Sequence, residues 1–202
     1  PAMRQIALPL DWSAGSGTEL IVTPANEGAA GLIENHSYWP QGGVILSGPP
    51  RSGKSLMAAH FEVSHSGTAI DDADQWEDEA LFHAWNAAKG AGKPLLLTAR
   101  TPPGEWGTAL PDLRSRLAAM QLTQLAEPDD AMLEGLLRLH LARAGTGATD
   151  ETLSYIVKRI DRSYAATERF VREANARALE QGGPVGMKLA RGLFEHQDEL
   201  DI

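Results

Sequence analysis

The octapeptide GPPRSGKS at residues 48–55 has the residue types and the spacing to bind a phosphate group. It fits the pattern G-x-x-x-x-G-K-[ST], with Gly48, Gly53, Lys54 and Ser55 at the four defined positions. Backbone N–H groups and the N-terminus of a following helix enclose an anion, because both carry partial positive charge. Lys54 then reaches the outer phosphates and Ser55 holds Mg²⁺. The predicted nucleotide contacts are the loop and the turn after it: Pro50, Arg51, Ser52, Gly53, Lys54, Ser55 and Leu56.

Two carboxylates, Asp71 and Asp72, follow a short apolar run and are suited to complete a metal site beside such a loop. Phosphoryl-transfer sites of this type hold their metal ion partly through an acid at the end of a neighbouring strand. We expect Asp71 to contact Mg²⁺, directly or through water, and Asp72 to orient a water molecule. The alternative is that both acids only cap the next helix, because the run formed by Ala69 and Ile70 is very short.

The elements that must position these residues alternate between strand and helix as far as residue 126. GVILS (43–47) and KPLLLTAR (93–100) are apolar enough for buried strands, and MQLTQL (120–125) alternates like a half-buried one. Only 17 positions separate Lys54 from Asp71, which leaves no room for an extra strand and helix. The sequence therefore predicts an α/β fold with a small parallel sheet of about four strands, and no strand within residues 60–67.

From residue 127 onward the apolar periodicity is helical throughout, so a second, all-helical domain is predicted. Its helices are expected over residues 129–144, 150–160, 163–181 and 185–196. The predicted organisation is an N-terminal peptide and linker at 1–18, an α/β base at 19–126, a helical lid at 127–197 and an acidic tail at 198–202.

Smaller local features complete this prediction of structure. Asn26 is expected to cap a helix that runs to about residue 36, because asparagine is favoured at that position. Trp39, Trp76 and Trp85 are expected to be buried or half-buried packing residues rather than a binding surface. The histidines show no H-x-x-x-H spacing, so the sequence predicts no transition-metal site.

The amino-acid composition limits the kinds of binding partner that we expect for this protein. The chain has 27 acidic against 18 basic residues and a formal charge of −9, so direct DNA binding is not expected. It has no cysteine, which excludes disulfides and thiolate metal sites. No apolar run approaches the ~18 residues of a membrane span, so no membrane association is expected. Together these features predict a cytoplasmic protein.

Three further motifs resemble the AAA+ ATPases, and within them the DnaA-related regulatory inactivators of the Hda type. ELIVTPANEGA (19–29) resembles the segment that borders the adenine pocket, which would place Ile21 and Val22 there. LLLTARTPP (95–103) resembles the strand that ends in the sensor 1 residue, a position for which Thr98 and Arg100 compete. LPDLRSRL (110–117) resembles the box that holds an arginine finger, with Arg116 at the finger position.

This resemblance implies an AAA+ P-loop NTPase fold with ADP or ATP and Mg²⁺ as ligands. Proteins of the Hda type consist of the DnaA ATPase module without its DNA-binding domain. They bind the β sliding clamp of DNA polymerase through an N-terminal peptide and stimulate ATP hydrolysis by DnaA, which prevents re-initiation of replication. The arginine finger, here Arg116, acts in trans on the partner's nucleotide.

The heptapeptide RQIALPL at residues 4–10 resembles the clamp-binding peptide of these proteins, although Ile6 stands where the family usually has leucine. A glutamine would form hydrogen bonds and apolar side chains would fill a groove on the clamp. The predicted clamp-binding residues are Gln5, Ile6, Leu8, Pro9 and Leu10.

The chain departs from this pattern at the sensor 2 position. Ala165 or Ala166 stands where the family has an arginine, and Arg162 and Arg169 flank that position. The departure implies weak or absent intrinsic ATPase activity, with the protein acting mainly on DnaA. Two other functions are kept as alternatives: an independent P-loop ATPase or small-molecule kinase, and a DnaA-like initiator module. The sequence leaves monomer and homodimer open.

Overall fold

The computed structural model describes residues 20–200, apart from the side chains of residues 41 and 196–200. The predicted clamp-binding peptide therefore lies outside the described residues. The chain forms two compact units, which divide between Ala126 and Glu127. No helix in the described range is long and apolar enough to cross a membrane.

The first unit is built on a parallel sheet of four strands in the order β2-β3-β1-β4. The strands are β1 (Gly43–Ser47), β2 (Thr68–Ile70), β3 (Leu95–Ala99) and β4 (Gln121–Gln124). Residues 60–65 belong to a helix, and residues 66 and 67 connect it to β2 without forming a strand. The predicted α/β class with a four-stranded parallel sheet is confirmed.

Helices cover both faces of this sheet. They are α1 (Glu27–Glu34), α2 (Lys54–His65), α3 (Asp78–Gly90) and α4 (Pro111–Ala119). Short 3₁₀ turns cover His36–Tyr38, Pro40–Gly42, Ala73–Gln75 and Pro103–Glu105. Because successive strand side chains point to opposite faces, β1 divides its residues between two cores. Val44 and Leu46 pack with α1 and α2, whereas Ile45 packs with α3 and α4.

Two local predictions need correction, the capping bond of Asn26 and the burial of Trp76. Asn26 occupies the predicted N-cap position of α1, but its side chain makes no capping hydrogen bond to that helix. Its Oδ1 accepts from the Thr23 backbone N–H and its Nδ2 donates to the Ile21 carbonyl, both at 2.8 Å. The buried amide thus stabilises the turn ahead of the helix. Trp39 is buried and Trp85 half-buried, as expected, but Trp76 is 44% exposed.

In the described residues, the second unit has four helices around one apolar core. They are α5 (Asp130–Arg143), α6 (Asp150–Val157), α7 (Tyr164–Gln181) and α8 (Met187–Leu200). Asp129, Thr149 and Ser163 accept hydrogen bonds from backbone N–H groups of the first turns of α5, α6 and α7. These caps satisfy donors that a helix start leaves free. The backbone of α8 continues through residues 198–200, where the sequence predicted a tail.

Candidate nucleotide-binding site

The predicted phosphate loop connects β1 to α2 and closes around its own lysine. Lys54 Nζ donates to the carbonyls of Gly48 and Pro49, each at 2.8 Å, and the residue is only 6% exposed. Gly53 has φ 91°, a conformation that favours glycine. At Gly48 a Cβ would lie 2.8 Å from the Leu125 Cβ, so the backbone passes too close for a side chain. Steric requirements therefore explain why glycine stands at both defined positions of the motif.

Charges around Lys54 come from the ends of the neighbouring strands. Burial lowers the pKa of Lys54, and the nearby carboxylates of Asp72, Asp71 and Asp74 oppose this effect in that order. Arg100, which follows β3, acts in the same direction as burial. The loop and the acids predicted to accompany it thus share one electrostatic environment, at the carboxyl edge of the sheet.

Thr98 at the end of β3 connects the two acids to the sheet. Its buried hydroxyl donates to the Asp71 carboxylate and accepts from the Asp72 backbone N–H at 3.0 Å. Asp72 precedes a 3₁₀ turn, but its carboxylate does not cap it. Of the two sensor 1 candidates, Thr98 is therefore the one that contacts Asp71, while Arg100 is exposed. The interpretation that the acids only cap a helix has no hydrogen bond to support it among the described residues.

Two serine hydroxyls in this region are buried without a partner in the described part of the chain. They belong to Ser52, in the loop, and Ser47, at the end of β1. A buried polar group without a hydrogen bond is costly, and a bound group is one way to satisfy it. The Ser52 Oγ lies 3.4 Å from the position of a Cβ on Gly48, beside the loop backbone. These hydroxyls, the glycine backbone and Lys54 fit a phosphate. Ser47 precedes the motif, so the sequence pattern did not identify it.

The segment before α1 approaches the loop from another side. Leu20 Cδ1 lies 3.6 Å from the position of a Cβ on Gly53. Leu20 and Val22 pack against the core that α1 and α2 share, and Ile21 is half-buried. The sequence assigned Ile21 and Val22 to the base pocket but missed Leu20, which the structure places against the phosphate loop.

The predicted finger Arg116 rests on helix α3 of its own unit. Its guanidinium carbon lies 4.3 Å from the ring centroids of both Phe82 and Trp85. Its Nη1 donates to Asn86 Oδ1 at 2.6 Å. The sequence analysis did not identify these three residues as neighbours of Arg116. Their spacing along one face of α3 was the available signal.

Arg114, two positions earlier on α4, differs from Arg116. It is exposed, and no hydrogen bond, ion pair or ring contact to the described residues is found for its side chain.

A surface cavity of the first unit lies away from the phosphate loop. A cavity of about 350 Å³ is lined by residues at the amino ends of β1 and β3, including Gly43, Leu95, Trp85 and Lys89. The phosphate loop and the acids lie at the carboxyl ends, so this cavity does not extend the nucleotide site. A kinase substrate pocket would have to open beside the phosphates.

The sensor 2 candidates belong to the helical unit. Ala166 is buried in the core of that unit and Ala165 is exposed. Arg162 Nη2 lies 2.5 Å from Asp130 Oδ1, and Arg169 Nη2 lies 3.7 Å from Asp161 Oδ2. Both flanking arginines thus have acidic partners in their own unit.

Comparison with known sequences gives partial matches. No protein-family model matches the chain. An uncharacterised protein of Haemophilus influenzae is 36% identical over 90 residues, which cover 44% of this chain and 38% of that protein. The chromosomal replication initiator protein DnaA of Mesorhizobium japonicum is 28% identical over 141 residues, 65% of this chain and 26% of that protein. The chain thus matches well under half the length of these relatives.

Comparison with solved structures identifies the fold. Domain III of Thermotoga maritima DnaA superposes with a TM-score of 0.71 at 14% identity, covering 88% of this chain and 94% of that one. AMPPCP-bound DnaA from Aquifex aeolicus gives 0.61 at 14% identity, with 80% and 65% covered. The RuvB branch migration motor of T. maritima gives 0.63 at 15% identity, with 85% and 67% covered. The chain has the fold of DnaA domain III and of AAA+ ATPase modules.

Proposed function

We propose that this protein is a nucleotide-binding AAA+ adaptor of the Hda type, which binds the replication sliding clamp and stimulates ATP hydrolysis by DnaA. The observation that carries the proposal is the fold of DnaA domain III built around a complete phosphate-loop motif. The sequence match to DnaA over 141 residues also supports a DnaA-related role. The motif resemblance is the basis for three parts of the proposal: assignment to the Hda type, binding to the clamp and action on DnaA.

The nucleotide we propose is ADP or ATP with Mg²⁺, since a DnaA structure of the same fold contains AMPPCP. Phosphate oxygens would take the place of the carbonyls that now accept from Lys54, and would accept from Ser52. Ser55 is exposed on the first turn of α2 and is free to contribute its hydroxyl to the metal, with Asp71 as the acidic partner. Asp72 would orient a water molecule.

We propose weak turnover by the chain itself. Neither Ala165 nor Ala166 carries the charge that a sensor 2 arginine would supply, and Arg162 is paired with Asp130. A bound nucleotide in such a protein serves mainly to maintain the conformation of the adaptor. Rapid ATP hydrolysis without DnaA would contradict this part of the proposal.

Arg116 is the residue we propose to act on DnaA. A guanidinium placed beside the γ-phosphate of a partner stabilises the charge that develops during transfer, and accounts for about 10³–10⁵ in rate in related systems. Arg116 would have to leave Asn86 and the two rings of α3 to reach a second molecule. Exposed contacts of this kind are weak enough for that exchange.

The test is hydrolysis of DnaA-bound ATP on DNA that carries loaded clamps. We expect the native protein to accelerate it, Arg116→Ala to remove most of the acceleration, and Arg114→Ala to retain it. Arg114→Ala is the matched control, because it removes an arginine from the same helix. Equal rates with and without the native protein would overturn the proposed function. If only Arg114→Ala lost the acceleration, the arginine finger would be Arg114 and not Arg116.

A further inference from the structure

Three ionisable side chains far apart in the sequence meet between the C-terminal ends of α1 and α2. Glu34 is the last residue of α1, and His60 and His65 lie in the last two turns of α2. The His60 Nε2 lies 3.2 Å from Glu34 Oε1, and the His65 Nε2 lies 3.5 Å from Glu34 Oε2. One ligand atom from each residue falls within 4.8 Å of the other two.

These separations are close to the edges of a metal coordination sphere. Zinc binds imidazole nitrogen and carboxylate oxygen at about 2.0–2.2 Å in a tetrahedral arrangement, which puts neighbouring ligand atoms about 3.3–3.6 Å apart. The two histidine nitrogens face different oxygens of Glu34, at 3.2 and 3.5 Å, and one ligand atom of each residue lies within 4.8 Å of the other two. Small side-chain adjustments would therefore suffice to enclose a cation.

The hydrogen bonding of the cluster is incomplete without a cation. The His65 Nε2 is buried and has no hydrogen-bond partner in the described part of the chain, although it faces the carboxylate. His36, whose ring centroid lies 4.6 Å from that of His65, likewise has a buried Nδ1 with no partner there. A buried polar nitrogen without a partner calls for an explanation, and an ion is one.

His60 has a contact for its second ring nitrogen. Its Nδ1 lies 3.2 Å from Ser64 Oγ, so with a metal ion bound at Nε2 an Nδ1–H would donate to that hydroxyl. Metal-binding histidines typically have their second nitrogen fixed in this way.

We propose that Glu34, His60 and His65 form a binding site for a divalent transition-metal ion, zinc being the best match to two imidazoles and a carboxylate. Water would occupy the fourth position. Glu34 is 26% exposed and His65 14%, which gives the ion a path from solvent, while His60 at 2% closes the inner side. The ion would join α1 to α2 at the end of α2 opposite the phosphate loop, so its role is structural and separate from the proposed function.

The test is zinc uptake by the full chain, purified without a polyhistidine tag and stripped with a chelator. After equilibration with zinc and dialysis, we expect about one zinc per native chain by elemental analysis. Glu34→Gln and His65→Gln should each lower the zinc affinity at least tenfold. His83→Gln, which changes an exposed histidine on α3, should bind like the native protein.

Two further measurements make the outcome decisive. Cobalt(II) should give the visible absorption of a low-symmetry, tetrahedral site with the native protein and not with His65→Gln. Zinc should raise the thermal midpoint of the native protein and of His83→Gln, but not that of folded His65→Gln. Equal uptake by all variants, or no zinc retained by the native chain, would overturn the proposal. Circular dichroism of each apo variant separates loss of the site from loss of folding.

Discussion

Lys54 is a buried cation whose hydrogen bonds go to the loop that it would help to present to a phosphate. Two backbone carbonyls hold it, and three carboxylates at the ends of neighbouring elements offset its burial. Without a ligand, the ammonium group therefore stabilises the conformation of the loop. In the proposed function, it binds the phosphate when a nucleotide is present. A substitution at Lys54 tests the second role directly.

We expect Lys54→Met to weaken ADP binding about tenfold to a hundredfold, since a hydrogen bond to a charged group contributes about 1.5–3 kcal/mol. Binding is measured by fluorescence anisotropy with a fluorescent ADP analogue. Lys93→Met, at an exposed lysine of the same unit, is the matched control and should bind normally. Unchanged affinity in a folded Lys54→Met protein would contradict the phosphate role.

The side chain of Arg116 has a defined resting position on α3. Asn86 and the rings of Phe82 and Trp85 hold the guanidinium on α3. If Arg116 must leave to act on DnaA, Asn86→Ala should raise the stimulated hydrolysis rate by up to about fivefold, because one hydrogen bond of about 1 kcal/mol is lost from the resting state.

The comparison for Asn86→Ala is His83→Ala, which changes an exposed residue of the same helix. Both are assayed for hydrolysis of DnaA-bound ATP with loaded clamps. If Asn86→Ala lost as much of the stimulated hydrolysis as Arg116→Ala does, Asn86 would hold the arginine in its working position and not in a resting position.

At the scale of elements, the end of β3 determines where the acids after β2 stand. Thr98 is fully buried and binds both the Asp71 carboxylate and the Asp72 backbone. The strand order places β3 between β1, which leads into the phosphate loop, and β2, which leads into the acids. A single hydroxyl therefore links the acidic segment to the centre of the sheet.

We expect Thr98→Val to destabilise the protein by about 1–3 kcal/mol, because it keeps the side-chain shape but leaves a backbone N–H without its acceptor. Urea unfolding, followed by circular dichroism, measures the change. Thr123→Val on β4 makes the same substitution at a half-buried position and should change stability little. Equal midpoints for native and Thr98→Val proteins would show that the hydroxyl contributes no net stability.

Helix α5 of the helical unit carries a pH-sensitive residue. Burial lowers the pKa of His140; Glu168 opposes this shift and Arg143 adds to it. The folded protein thus binds this proton less readily than the unfolded chain, whose histidines titrate near 6.5. The stabilising contribution is complete above pH 6.5 and is lost as the pH falls from there towards the folded pKa.

We therefore expect His140→Gln to lose less thermal stability than the native protein between pH 7.5 and pH 5.5. Calorimetry at several pH values in this interval measures the difference. Exposed His83→Gln should follow the native pH dependence. Identical pH profiles for native and His140→Gln proteins would assign the acid sensitivity to other groups.

At the scale of the whole molecule, the proposed adaptor needs two independent functions: a folded nucleotide site and an N-terminal peptide for the clamp. We expect Gln5→Ala to abolish co-elution with the sliding clamp while ADP affinity stays within twofold of native. Size-exclusion chromatography with purified clamp and the anisotropy assay measure the two properties. Undiminished clamp binding by Gln5→Ala would remove the peptide from the proposed mechanism.

Much of the fold was predictable because its signals are local. The phosphate motif lies within eight consecutive residues, and β1 and β3 are short, fully buried runs of mostly apolar side chains. The separation of 17 positions from Lys54 to Asp71 limited the sheet to about four strands by length alone. The capping bond of Asn26 and the burial of Trp76 were wrongly predicted, because residue preference ignores what the folded chain offers each side chain as a partner.

The phosphate loop, the α/β class and the helical character of the second unit were all readable from the sequence, since each depends on residues near one another in the chain. The contact of Thr98 with Asp71, the position of Arg116 on α3, and the meeting of Glu34 with His60 and His65 are visible only in the folded chain. These partners are 26 to 34 positions apart. They meet through strand order and helix packing, which follow from burial of the whole apolar surface and leave no periodicity in the sequence.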